Sequence, residues 1–232
     1  MKTAITLRAE EVQKTIERLY LRISDRFSSS GLAGVCHTLH EYSRETPEIT
    51  RWISRPNYPL RVGVLLVLFI LGLVILASLR KLEVKDEGIN IAEVFQMVDA
   101  AVNELLLMGA GIFSLITLEH RRKRGRVIRA VNKLRCLAHI VDAHQLQKDP
   151  DLVNPSATAT PHSPKRDLSP FELGRYLDYC SELLSLISKQ AFLYVQSYDD
   201  PAANEAVYDL ENLANGISTK IWQKIMILRF HP

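Results

Sequence analysis

The sequence predicts an all-α membrane protein with a two-helix transmembrane hairpin, a cytoplasmic helical bundle, and a second transmembrane helix that continues into the cytoplasm. Three observations predict this class. Residues 62–79 carry no charge, a second apolar segment covers about 99–118, and the remaining chain repeats its apolar residues at the three- and four-residue steps of helices. No segment of any length has the pattern of a strand.

The first predicted span is VGVLLVLFILGLVILASL, residues 62–79. At about 1.5 Å per residue it covers about 27 Å, close to the hydrocarbon thickness of a bilayer, roughly 30 Å. The polar segment 81–90 is too short for more than a tight connection, so the second span is expected to run back antiparallel. That span ends before Glu119, and counting back about 20 residues places its other end near Asp99. The hairpin therefore covers residues 61–119.

Basic residues indicate the orientation of the hairpin. Four arginines within 44–61 precede or adjoin the first span, and the run RRKRGR at 121–126 follows the second. Because cytoplasmic flanks carry an excess of Lys and Arg, both termini are expected in the cytoplasm, with the hairpin in the inner (plasma) membrane. Cys36, Cys136 and Cys180 are an odd, widely spaced set, which favours reduced thiols and agrees with a cytoplasmic body.

Residues 1–60 are expected to form amphipathic cytoplasmic helices. Thr6 is placed to cap the first helix, and Pro47 is placed to start a later one, since proline suits the first helical position. After the second span, the basic segment 120–148 continues the apolar stripe without a break. One continuous helix is therefore predicted from about 90 to 147.

The C-terminal part follows a linker. Residues 149–168 are rich in Pro, Ser and Thr, which is typical of a connecting segment. Residues 169–230 are predicted to form an antiparallel helical hairpin, opened by a capping box at Ser169 and Glu172 with Pro170 first in the helix. Two roles remain open for the heptad seam that follows. Its residues either pack in the core of a bundle of four or five helices or mediate parallel self-association. The seam consists of Leu173, Leu177, Cys180, Leu184, Ile187, Ala191 and Tyr194.

The second span carries a polar stripe. Asp99, Asn103 and Glu104 fall on one arc of the helix, and a carboxylate within hydrocarbon is costly. One interpretation is a local ion pair between Glu104 and the arginine that ends the first span. The other is that several copies assemble, so that Asp99 and Glu104 form acidic rings at the mouth of a cation-selective pore. Gly109 and Gly111 farther along favour close packing between membrane helices.

The basic run after the second span is first a determinant of topology. Arginine beside lipid also attracts anionic headgroups. No aromatic residue interleaves the run to stack bases, so nucleic-acid binding is not expected. The residues expected to contact anionic lipid are Arg121, Arg122, Lys123, Arg124 and Arg126.

No metal, cofactor or enzymatic activity is expected. Cys36 with His37 and His40, and Cys136 with His139, have one-turn spacings, but neither set has the paired spacing of a structural zinc site. The chain also lacks a G-x-S-x-G nucleophile motif, a phosphate-binding glycine loop and an H-E-x-x-H motif.

The expected function is that of a non-enzymatic two-pass membrane protein that self-associates through its cytoplasmic helices, as a cation-conducting pore or a membrane effector. The alternative is a membrane-anchored scaffold whose C-terminal helices dock a protein partner. In plan, a cytoplasmic helix followed by two spans and further cytoplasmic helices resembles small two-span bacterial effector and channel subunits.

Overall fold

The structure, a computed structural model, describes residues 5–56, 58–80, 91–150, 161–163 and 167–230. No strand occurs in this part of the chain. The predicted connection at 81–90 and most of the predicted linker at 149–168 lie outside it. The helices are α1 (Ala9–Arg26), α2 (Gly31–Ser54), α3 (Tyr58–Arg80), α4 (Ile91–Leu146), α5 (Pro170–Val195) and α6 (Pro201–Phe230).

The chain divides into two compact units. Met1–Ser54 together with Arg124–Pro232 form the first, which we call the body. Arg55–Lys123 form the second, which we call the span unit because it contains both predicted spans. The boundary between the units falls inside α4.

α4 joins the second apolar segment to the basic segment in one helix. It runs for 56 residues from Ile91 to Leu146, which confirms the continuous helix predicted for about 90–147. No proline occurs within it, and its residues keep the helical spacing of apolar side chains. Nothing in the local sequence therefore ends the helix where the predicted span ends.

The body is a bundle in which α5 is the central helix. Fourteen of the 26 residues of α5 are buried, and α5 contacts α1, α2 and α6. Its capping box forms as predicted, since the Ser169 hydroxyl accepts from the Glu172 N–H at 3.3 Å and the Glu172 carboxylate accepts from the Ser169 N–H at 2.9 Å. The stripe of α4 from Val127 to Val141 packs into the same core. The five helices thus close a core within one chain.

α1 begins later than the sequence predicts. Its N-cap is Arg8, which has extended backbone and no side-chain cap, so the cap expected at Thr6 is wrong. The chain before α1 is held instead by Gln196, whose side-chain amide donates to the Leu7 carbonyl at 3.0 Å and accepts from the Leu7 N–H at 3.2 Å. Gln196 lies 189 residues from Leu7, so no local pattern shows this start.

α2 continues through Pro47, where the sequence predicts that a new helix begins. Proline removes one helix hydrogen bond and crowds the preceding turn. On either side of it, the hydroxyls of Thr46 and Thr50 donate to helix carbonyls one turn back, at 3.0 and 2.9 Å. Leu39 and Ile53 are both buried, so the core holds the two halves of the helix. Tertiary packing therefore outweighs the local cost of the proline.

Candidate membrane interface and polar stripe

α3 exposes apolar side chains on all of its sides. Six consecutive residues from Leu65 to Ile70 are exposed, and six residues go more than once around a helix. No described residue of α3 is buried. Among the described residues, two helical stretches are long and apolar enough to cross a membrane, one that ends at Leu73 within α3 and one within α4, and neither apolar window is buried in the protein. This distinguishes both apolar windows from the core helices of a soluble protein, which bury such residues.

The predicted polar stripe lies on the surface of α4. Asp99 and Asn103 are exposed, and Glu104 is half-buried. The rise of five helical residues separates Asp99 from Glu104 by about 7.5 Å along the axis. The side chain of Arg80, the partner expected for a local ion pair, lies outside the described residues, so this pairing stays a prediction.

Gly109 and Gly111 lie farther along α4. A Cβ atom built on either glycine would meet no atom within 4 Å. No close helix approach at these two positions therefore involves the described residues. Their predicted role in helix packing stays a prediction.

Three of the five basic residues expected at anionic lipid lie in the span unit. Arg121 and Arg122 are exposed. Lys123 donates to the Arg55 carbonyl at 3.0 Å and pairs with the Glu119 carboxylate at 2.9 Å. Lys123 thus ties α4 to the residues just before α3.

The other two, Arg124 and Arg126, contact partners within the body. The Arg126 guanidinium lies 4.6 Å from the centre of the Trp52 ring, a cation–π distance. Arg124 Nε donates to both carboxylate oxygens of Asp200, at 3.0 and 2.9 Å. These arginines hold α4 against α2 and α6, a role that the sequence did not reveal.

Asp200 is a structural site residue that the sequence analysis missed. Its side chain is 4% exposed, and its carboxylate accepts from the Ala203 N–H at 3.0 Å, which caps α6. Burial opposes ionisation of Asp200, but the hydrogen bonds from Arg124 and Ala203 outweigh burial and lower the pKa of the carboxyl. In the sequence, the Asp200-Pro201 pair indicates the start of a helix. The ion pair with Arg124 has no such signal, because Arg124 lies 76 residues away.

The heptad seam lies inside the body. Leu173 is 3% exposed, and Leu177, Leu184 and Ile187 have no exposed surface. The other seam members, Cys180, Ala191 and Tyr194, are also buried. These side chains pack within one chain, so self-association through the body requires a different surface.

A buried polar cluster joins α2 to α5. The Thr46 hydroxyl donates to the Tyr42 carbonyl at 3.0 Å, accepts from Gln190 Nε2, and lies 3.1 Å from the Tyr194 hydroxyl. A hydroxyl has one donor and two acceptor positions, so Tyr194 is the donor in its contact with Thr46. Burial raises the pKa of Tyr194, which keeps that proton in place. All hydrogen-bonding positions of Thr46 are therefore used.

The three cysteines differ in their surroundings. Cys36 and Cys180 are buried, and burial raises the pKa of each thiol to about 12. Cys136 is exposed on α4. Where the chain is described, no three His, Cys, Asp or Glu side chains gather as metal ligands. Cys136 is therefore the thiol best placed to react with a reagent in solution.

Comparisons with protein-family models, with curated proteins and with solved structures gave no match. Function must therefore be inferred from three features of the chain itself. These are the two apolar stretches, the polar stripe on α4 and the closed helical body.

Proposed function

We propose that this chain is a non-enzymatic two-pass membrane protein that anchors a helical body to a membrane as a scaffold for a protein partner. One contrast carries the proposal. The body buries the apolar stripes of its helices in one core, whereas the apolar windows of α3 and α4 have no buried part. A bilayer covers such windows, and a helix is one of the few structures that satisfies its backbone hydrogen bonds there.

Exposed aromatic residues on α6 support the proposal that a protein partner docks on this helix. Tyr208 and Trp222 are 64% and 61% exposed. Fourteen residues apart in one helix, they lie within about 40° of each other around its axis. Aromatic side chains of this kind are enriched where proteins bind one another. The proposed docking surface is this face of α6.

The proposed location is the inner (plasma) membrane of a bacterium, with both termini in the cytoplasm. The basic residues that flank the hairpin on the side of the termini support this orientation. Cys36 and Cys180 support it as well, because both are free thiols in the core of the body.

Self-association as a cation-conducting pore is the second candidate. The outward-facing Asp99 and Asn103 favour it, because acidic and amide side chains next to lipid are costly unless they line a polar path. The open space around Gly109 and Gly111 also favours it, because another copy can approach α4 closely there. In this arrangement the copies contact one another through their spans. The ring of Glu104 side chains then lies about 7.5 Å along the helix axis from the ring of Asp99 side chains.

The mass of the purified full chain in detergent separates the two candidates. A particle containing one chain supports the scaffold and excludes the pore, whereas a defined oligomer favours the pore. In a planar bilayer, the double variant Asp99→Asn with Glu104→Gln should change cation selectivity if the chain forms a pore. Tyr208→Ala, which changes the proposed docking surface, is the control and should leave conductance unchanged. Full-length protein that stays in the supernatant after high-speed centrifugation of a detergent-free lysate excludes both candidates.

A further inference from the structure

One end of the span unit carries arginines without matching carboxylates. Arg55 precedes α3, Arg61 lies in the first turn of α3, and Arg121 and Arg122 lie in α4; all four are exposed. Residues 55–80 and 105–123 contain a single carboxylate, that of Glu119. The positive charge at this end therefore exceeds what the unit's neighbouring side chains can neutralise.

Lys123 joins the backbone at Arg55, just before α3, to the basic turn of α4. Its ammonium donates to the Arg55 carbonyl at 3.0 Å, and this carbonyl precedes α3, which begins at Tyr58. The same ammonium pairs with Glu119 at 2.9 Å. Lys123 thus pairs with the single carboxylate and holds the backbone of Arg55 beside this turn of α4.

The direction of each arginine on α4 follows from helix geometry. At about 100° per residue, Arg122 is one step around the axis from Lys123, on a side adjoining the contact with Arg55. Arg121 is about 200° from Lys123 and faces away from that contact. Arg122 therefore lies closer than Arg121 to the side of α4 that contacts Arg55.

We propose that Arg55 and Arg122 form a site for a phosphate group, that of an anionic phospholipid headgroup. Guanidinium groups match phosphate oxygens in a two-pronged geometry, and the group is always charged. Tyr58, 68% exposed at the start of α3 and three residues after Arg55, supplies a hydroxyl of the kind found at headgroup depth. The inference rests on the proposed function, since these arginines reach headgroups when α3 and α4 cross the bilayer.

Native mass spectrometry of the full chain in detergent tests the site, with phosphatidylglycerol or phosphatidylcholine added. The wild-type chain should retain phosphatidylglycerol in preference to phosphatidylcholine. Arg122→Gln should lower the retained phosphatidylglycerol by about fivefold, the effect of one charge at an anionic membrane surface. Arg121→Gln removes the same charge one residue away and should leave retention close to that of the wild type. Arg55→Gln is the second variant and should match Arg122→Gln, with far-UV circular dichroism showing that each variant keeps its helices.

Three outcomes would overturn the site. Equal retention of the two lipids would show that no anionic headgroup is selected. Equal losses in the Arg121 and Arg122 variants would show an effect of net charge rather than a site. Displacement of phosphatidylglycerol by millimolar inorganic phosphate would assign the arginines to a soluble anion. A chain that is inserted in membranes but fails these tests contradicts the lipid site alone, whereas a chain found outside membranes contradicts the proposed function.

Discussion

Thr46→Val removes the hydroxyl at the centre of the buried cluster between α2 and α5 while nearly preserving the shape of the side chain. The native hydroxyl accepts hydrogen bonds from Gln190 and Tyr194, and both of these side chains are buried. Valine offers no acceptor, so the substitution leaves two donors without this partner. The Tyr42 carbonyl is less affected, because it lies in the regular hydrogen bonding of α2.

The expected loss of stability follows from the number of donors left without a partner. Gln190 and Tyr194 also share a side-chain hydrogen bond, so the substitution leaves about one donor without an acceptor. A buried unsatisfied donor costs about 1–3 kcal/mol, and Thr46→Val should lower the free energy of unfolding by that amount. The free energy of unfolding of a typical domain is about 5–15 kcal/mol in total, so this loss is a large part of it. For a chain of this size, each kcal/mol corresponds to about 2–4 °C, which places the decrease in Tm at about 2 °C or more.

The assay is thermal and urea unfolding of the full chain in detergent, followed by far-UV circular dichroism. Thr50→Val is the matched control, one turn along α2, where the hydroxyl donates to the Thr46 and Pro47 carbonyls of its own helix. This control should change stability by about 0.5 kcal/mol or less. Adding Gln190→Leu and Tyr194→Phe to Thr46→Val should recover much of the loss, because no donor is then left unpaired. Equal losses for the two threonine variants would refute the role assigned to the cluster.

Three further predictions test other contacts. A membrane-impermeant maleimide should label the exposed Cys136 well before the two buried thiols. If the body is cytoplasmic, this labelling should require permeabilised membranes, and labelling of sealed spheroplasts would contradict that orientation. Leu184→Ala should lower the free energy of unfolding in urea by about 2–5 kcal/mol, and a loss no greater than that of Leu21→Ala, at a site 53% exposed, would contradict its place in the core. Asp200 has a folded pKa below its unfolded value of about 3.9, so its stabilisation is present above that pH and lost as pH falls through the folded pKa. Asp200→Asn should remove this part of the acid dependence, and an unchanged slope as the pH falls below about 4 would exclude it.

The helices were predictable because their patterns are local. The capping box at Ser169 marks the start of α5, and the absence of proline from residues 91–146 predicts the length of α4. Two expectations about helix boundaries were wrong, and both for the same reason. The cap expected at Thr6 and the break expected at Pro47 follow local preferences, and tertiary contacts exceed them: Gln196 holds the chain before α1, and the core holds both halves of α2.

The candidate site was predictable in part. In sequence the five basic residues after the second span share one property, their charge. The structure separates them by partners distant in sequence, with Lys123 bonded to a carbonyl 68 residues away and Arg124 to a carboxylate 76 residues away. Arg122 and Arg121 differ in direction alone, which the helix geometry of α4 shows once the contact of Lys123 is known.

By itself, the sequence determined which stretches are apolar enough for lipid, where α5 begins and which residues lie on one stripe of each helix. These properties add up residue by residue along the chain, through transfer free energies and the helical repeat. Only the tertiary structure decided that the heptad seam packs in the chain's own core, that Arg124 binds Asp200 and that Thr46 joins α2 to α5. Each of these depends on which helices meet, and that is set by contacts between residues far apart in the sequence.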